Sequence, residues 1–113
     1  MMNEKNKWRL THIIEAIEYI EDFLEGVEKD TFFKDYEKQS AVVRQFEIIG
    51  EAANGLDSNI IGANSQIKWH EVISMRNVMI HDYFEVNIDI VWDTAKIDLP
   101  DLKKKVKNIL FDL

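Results

Sequence analysis

The stretch "WRLTHIIEAIEYIEDFLEGV", residues 8–27, decides the fold. Its apolar residues Leu10, Ile13, Ile14, Ile17, Ile20, Leu24 and Val27 recur at steps of three and four. That spacing places them on one stripe of an α-helix. The acids Glu15, Glu18, Glu21, Asp22 and Glu25 fall mostly off the stripe, on the side left for water. Gly26 stands where a left-handed residue can close the helix. With only four glycines and one proline in 113 residues, breakers are scarce, and an all-β fold is disfavoured.

The same periodicity continues along the chain. "DTFFKDYEKQ", residues 30–39, reads as a short connection with Phe32 and Phe33 plugged beneath it. A second helix is expected from about Ser40 through "AVVRQFEIIGEAAN", with Val42, Val43, Phe46, Ile49, Ala53 and Leu56 as core positions. The Asn, Asp, Ser and Gly density of "NGLDSNIIGANSQ", residues 54–66, marks a loop, with Asn54-Gly55 as the helix cap. A third helical segment runs through "IKWHEVISMRNVMIHDYF". A fourth, "VNIDIVWDTAKIDL", opens at Asn87 or Asp89, and Pro100 starts the last, "PDLKKKVKNILFDL". The expectation is one all-α domain over residues 1–113, a compact bundle of four or five helices.

Composition narrows the function. Apolar residues make up 46% and charged residues 31%, proportions of a folded domain rather than a disordered chain. There is no cysteine, so disulfides and thiolate metal sites are excluded. No apolar run follows the N-terminal charges, and none approaches the roughly 18 residues of a membrane span, so a cytoplasmic protein is expected. The net charge of -7, with 21 acids against 14 bases, opposes non-specific nucleic-acid binding. The one basic run, "KKKVK" at 103–107, reads as a solvated helix face before it reads as a binding patch.

The segment "SMRNVMIHDYF", residues 74–84, departs from this ordinary pattern. With Arg76 at zero on a helical wheel, Asn77 lies near 100°, His81 near 140° and Tyr83 at about -20°. The four share a broad front with Trp69, Ile73 and Ile80, so much of that front must face protein. Polar groups there need partners, a kink after Ile80, or a cleft between helices or subunits.

These residue types suit metal-free cleavage of RNA by its own 2′-hydroxyl. A histidine titrates near neutrality, and an arginine offers a fixed cation to the phosphate oxygens. Tyr83 could donate to phosphate or ribose, and Asn77 could orient the histidine. Metal chemistry is the weaker option: His12, His70 and His81 are scattered, with no HExxH or paired-carboxylate signature. Spacing alone leaves the structural alternative open, with Arg76 paired to Glu47 or Glu51 and His81 a satisfied core or interface group.

Taken together, "RLTHIIEAIEYIEDFLEG", "AVVRQFEIIGEAANGL" and "KWHEVISMRNVMIHDYFEVNIDIVWDTAKIDLPDLKKKV" resemble, in that order, the HepT-like branch of the HEPN superfamily. The likeness covers nearly the whole chain, and "IIGEAAN", "RNVMIHDYF", "DIVW" and "LP" are its most specific parts. The resemblance implies a small all-helical, dimeric, metal-independent ribonuclease acting as the toxin of a toxin–antitoxin pair. The family motif R-x4-H-x-Y falls on Arg76, His81 and Tyr83, with Asn77 matching the frequent residue after the arginine. By resemblance Arg76 and His81 are the catalytic pair. Tyr83 is then the tyrosine that a minimal nucleotidyltransferase antitoxin of the MntA type modifies with AMP. Lys68 and Ser74 depart from the family's proline before the tryptophan and glycine before the "RN" block, which bears on how the helix starts and packs.

A dimer would place two such motifs in one groove, supplying two arginines and two histidines and a locally positive cleft on an acidic protein. Arg44, Glu47 and Glu51 on the second helix read first as an intrahelical ion-pair set, and second as a carboxylate support for Arg76. Arg9 and His12 read as surface or packing groups. Met75 and Met79 read as core or dimer contacts, and Trp69 and Trp92 as packing anchors. No cofactor is implied. The competing reading is a non-catalytic helical module that binds a nucleotide or a nucleotidyltransferase partner.

Overall fold

Asn3 opens the first helix by accepting a hydrogen bond from the Asn6 backbone N–H at 2.9 Å, the arrangement of a helix N-cap. The computed structural model describes residues 3–82 and 88–112, with side chains described for 3–77 and 88–112. Helix α1 spans Glu4–Leu24, and six of the seven stripe residues read from the sequence are buried, Leu10 through Leu24. Val27, the seventh, is partly buried against the same core. Each fully buried Leu or Ile contributes roughly 1.5–3 kcal/mol, so this stripe is a principal source of stability. Gly26 takes φ +72°, closing the helix as its position implied.

The connection expected at residues 30–39 contains a short helix, α2, Lys29–Lys34. Of its two phenylalanines only Phe32 plugs the core, fully buried with its ring 5.4 Å from that of Trp92; Phe33 remains exposed. The buried amide of Gln39 donates from Nε2 to the Phe32 carbonyl at 2.9 Å and ties α2 to the next helix. That helix, α3, spans Tyr36–Asn54 and starts four residues before Ser40. The cause is Asp35, whose side chain accepts from the Lys38 N–H at 3.0 Å and caps the helix early. Val42, Val43, Phe46, Ile49, Ala53 and Leu56 are all buried, as their spacing requires.

Within the expected loop lies another short helix, α4, Ser58–Ala63, none of whose residues is buried. Asp57 precedes it without capping it through its side chain. Its carboxylate instead accepts from Asn6 Nδ2 at 3.0 Å, while the Asp57 N–H donates to Asn6 Oδ1 at 3.2 Å. This reciprocal pair fastens the start of α1 to the turn after α3.

Helix α5 spans Trp69–Asp82, and α6 spans Ile88–Asp93. Asp89 lies in the first turn of α6 and pairs with Lys29 at 3.2 Å rather than capping the helix; Asn87 lies outside the described residues. Pro100 stands in the first turn of the last helix, as expected: α7 spans Leu99–Phe111, and a π-helical turn, Thr94–Asp98, leads into it. The Leu99 N–H reaches back to the Thr94 carbonyl, one residue further than in an α-helix. Pro100 has no N–H to give, a lack that the first turn of a helix tolerates.

Among the described residues every regular element is helical, and α1, α3, α5 and α7 carry the packing. Helix α3 packs against both α1 and α5, and α7 packs against α1. Three of the four lysines of "KKKVK" meet acids: Lys103 pairs with Glu21 at 2.6 Å, Lys105 with Asp101 at 2.9 Å and Lys107 with Glu18 at 3.9 Å. The run therefore bonds α7 to α1 and to itself. No helix among the described residues is long and apolar enough to cross a membrane.

Candidate active site

The arginine of the 74–84 segment sits on the packed side of α5. On the helical wheel Trp69, Val72 and Ile73 lie within about 60° of Arg76. Trp69 and Val72 are buried, and Ile73 is partly buried against the core. Arg76 thus leaves the helix along its core-facing stripe, and it is half-buried. Its Nε is fully buried with no hydrogen-bond partner, and the guanidinium forms no ion pair among the described residues. A buried donor without an acceptor costs about 1–3 kcal/mol, more for a charged group, so native proteins rarely keep one without a use.

Gly50 of α3, a residue that sequence reasoning missed, explains how an arginine comes to lie there. A Cβ on Gly50 would stand 2.6 Å from the Arg76 backbone nitrogen, 2.8 Å from the Arg76 Cβ and 2.9 Å from the Ile73 carbonyl oxygen. Helix α5 therefore crosses α3 with its backbone against the one α3 position that lacks a side chain. Gly50 does not have a positive φ. Its conformation is open to any residue, and a mid-helix glycine costs about 0.5–1 kcal/mol relative to alanine. Close approach is the reason for glycine here. The available signal was a lone glycine inside "FEIIGEAAN", a helical run with no other breaker.

The remaining candidates divide. Asn77 is exposed. The side chain of His81 and the whole of Tyr83 lie outside the described residues, as does the Met79 side chain. Arg44 pairs with Glu47 at 3.2 Å on α3, as expected of an intrahelical pair; neither Glu47 nor Glu51 is bonded to Arg76 among the described residues. Trp69 is buried and donates from Nε1 to the Asn64 carbonyl at 3.0 Å, and Trp92 carries Lys96 5.0 Å above its ring. Both are packing anchors. Met75 is partly buried against the core. The His12 ring lies tilted against that of the exposed Trp8, centroids 4.0 Å apart. Arg9 donates from Nη1 to the Gly55 carbonyl at 2.8 Å, a structural tether from α1 to the end of α3.

A groove of about 660 Å³ runs beside α5, walled by Gln66, Ser74, Met75, Ile97, Leu102 and Lys105 among others. It borders Ser74 and Met75, the two residues before Arg76, but Arg76 is not one of its walls. The site is thus defined by the α3–α5 crossing, not by this groove. Among the described residues no three His, Asp or Glu side chains gather as a metal site.

Comparison with known proteins identifies the family. Residues 13–109 match the model of a family described as "Ribonuclease HepT-like". The chain is 39% identical over 101 residues to "Putative RNase TTE0752" of Caldanaerobacter subterraneus subsp. tengcongensis, covering 89% of this chain and 90% of that protein. It is 38% identical over 108 residues to "Probable ribonuclease HepT" of Thermococcus cleftensis, covering 96% and 98% of the two chains. No solved structure matches it.

Proposed function

Because the chain belongs to the ribonuclease HepT-like family, we propose that it is a metal-independent endoribonuclease whose Arg76 and His81 act on the RNA phosphodiester. In this reading the RNA 2′-hydroxyl attacks the adjacent phosphorus. The new O2′–P bond forms as the P–O5′ bond breaks, giving a cyclic phosphate and a free 5′-hydroxyl. A base takes the 2′ proton and an acid returns one to O5′, the two tasks of general acid–base catalysis. His81 fills one role and the His81 of a second copy the other, which is why the active form is a homodimer. Arg76 meets the charge that grows on the non-bridging oxygens. Asn77 orients the histidine.

The observation that carries the proposal is the state of Arg76. It is held on a packed face, partly out of water, and committed to no carboxylate among the described residues. A structural arginine in such a place would be paired. One with a buried Nε and no carboxylate partner among the described residues is suited to hold a phosphate.

Regulation follows from the same chemistry. The protein is the toxin of a toxin–antitoxin pair, and its partner is an MntA-type nucleotidyltransferase that places AMP on Tyr83. A second phosphate near Arg76 would compete for the guanidinium, and the adenosine would occupy the substrate's space. Incubation of the purified protein with RNA in EDTA should give fragments ending in cyclic phosphate. His81→Ala should abolish them. Co-expression with the nucleotidyltransferase should add mass in steps of one AMP, absent in Tyr83→Phe. Fragments that persist with His81→Ala would refute the catalytic assignment, and unmodified Tyr83 would refute the regulatory one.

A further inference from the structure

Gly50 and Arg76 belong to different helices, yet the backbone of one is fitted to the backbone of the other. Two of the three atoms a Gly50 side chain would strike are main-chain atoms, the Arg76 nitrogen and the Ile73 carbonyl oxygen. Neither can rotate aside. The third, the Arg76 Cβ, is the root of the side chain that the proposed reaction requires. At Gly62, by contrast, an added Cβ would meet nothing within 4 Å, and at Gly55 it would meet the Arg9 guanidinium, the far end of a flexible side chain; of the four glycines only Gly50 is set against the backbone of another helix.

We propose that Gly50 is a positioning residue for Arg76: its bare Cα sets the depth at which α5 sits on α3, and so where the guanidinium is presented to substrate phosphate. This rests on the reading of Arg76 as the phosphate-binding cation. Ordinary van der Waals contact to a Cβ begins at 3.4 Å, so a methyl group must push α5 outward by roughly 0.5–0.8 Å. Displacement on the order of 1 Å in a reacting group can cost about 100-fold in rate. The buried Nε would move with it.

The test is a double-mutant cycle on RNA cleavage and on the affinity for a 2′-O-methyl RNA oligonucleotide, which binds without being cut. Wild type, Gly50→Ala, Arg76→Ala and the double variant are compared, each checked for helicity and thermal melting. Gly50→Ala is expected to lower cleavage at least about tenfold while remaining folded. In the Arg76→Ala background the same change should cost less than about twofold in oligonucleotide affinity, because the guanidinium it displaces is gone. A general weakening of the fold would instead lower both backgrounds by the same factor, and that result overturns the inference. An unfolded Gly50→Ala also overturns it, since the glycine would then sustain the fold rather than place one side chain. If Arg76→Ala alone leaves cleavage and binding at wild-type levels, the functional reading itself fails, whatever Gly50 does.

Discussion

Two arginines of this chain lie against glycines of the same helix system, and they meet opposite fates. Arg9 of α1 covers Gly55 with its guanidinium and donates to the Gly55 carbonyl at 2.8 Å. Around it Asn3, Asn6 and Asp57 complete a corner in which polar groups answer one another. Arg76 of α5 covers Gly50 with its backbone, and its Nε is buried without an acceptor among the described residues. The first glycine makes room for an arginine head that the fold consumes. The second makes room for an arginine root, whose Nε finds no acceptor among the described residues. Polar satisfaction thus separates the two arginines more sharply than burial does, because both are half-buried.

The contrast can be broken most forcefully at the active side. Arg76→Ala should lower RNA cleavage by about 100- to 1,000-fold, the usual cost of removing a group that stabilises charge in a transition state. Arg76→Lys should not restore it, since an ammonium cannot reproduce the planar fork of donors. Melting temperature should hold or rise with Arg76→Ala, because an unpaired buried donor is removed. On the structural side, Arg9→Ala should lower stability by about 1.5–3 kcal/mol in a denaturant titration while leaving cleavage of the folded protein intact. Asn6→Ala should cost about 1–3 kcal/mol by the same measurement, since it strips partners from both the side chain and the N–H of Asp57. The smallest effect is expected from Lys103→Ala. Its ion pair with Glu21 is partly exposed, and its loss should stay under about 1 kcal/mol and shrink in high salt.

The long helices were legible because their signal is repeated. Seven apolar residues at helical spacing in and just beyond α1 leave no other period that fits, and six of them are buried. The short helices α2 and α4 were not legible: six residues each give no stripe, and their Asp, Asn and Ser content reads equally well as turn. Pro100 marked the start of the last helix and stands in the first turn of α7, whereas the π-helical turn at Thr94–Asp98 before it left no pattern in the sequence. Arg76 was legible as a candidate from its company, but whether it would find a carboxylate depended on three-dimensional neighbours. Of the two partners the sequence offered, Glu47 is taken by Arg44, and Glu51 is not bonded to Arg76 among the described residues. Gly50 was the least legible of all. Its role exists only where two helices cross, and no local pattern distinguishes it from a tolerated helix breaker.

The central claim is that the unsatisfied arginine, not the satisfied one, is the working group. Its most direct test sets Arg76→Ala beside Arg9→Ala in one assay of RNA cleavage in EDTA, at a temperature where both are folded. The account predicts cleavage lost for Arg76→Ala and kept for Arg9→Ala. Equal cleavage by Arg76→Ala and wild type would contradict it.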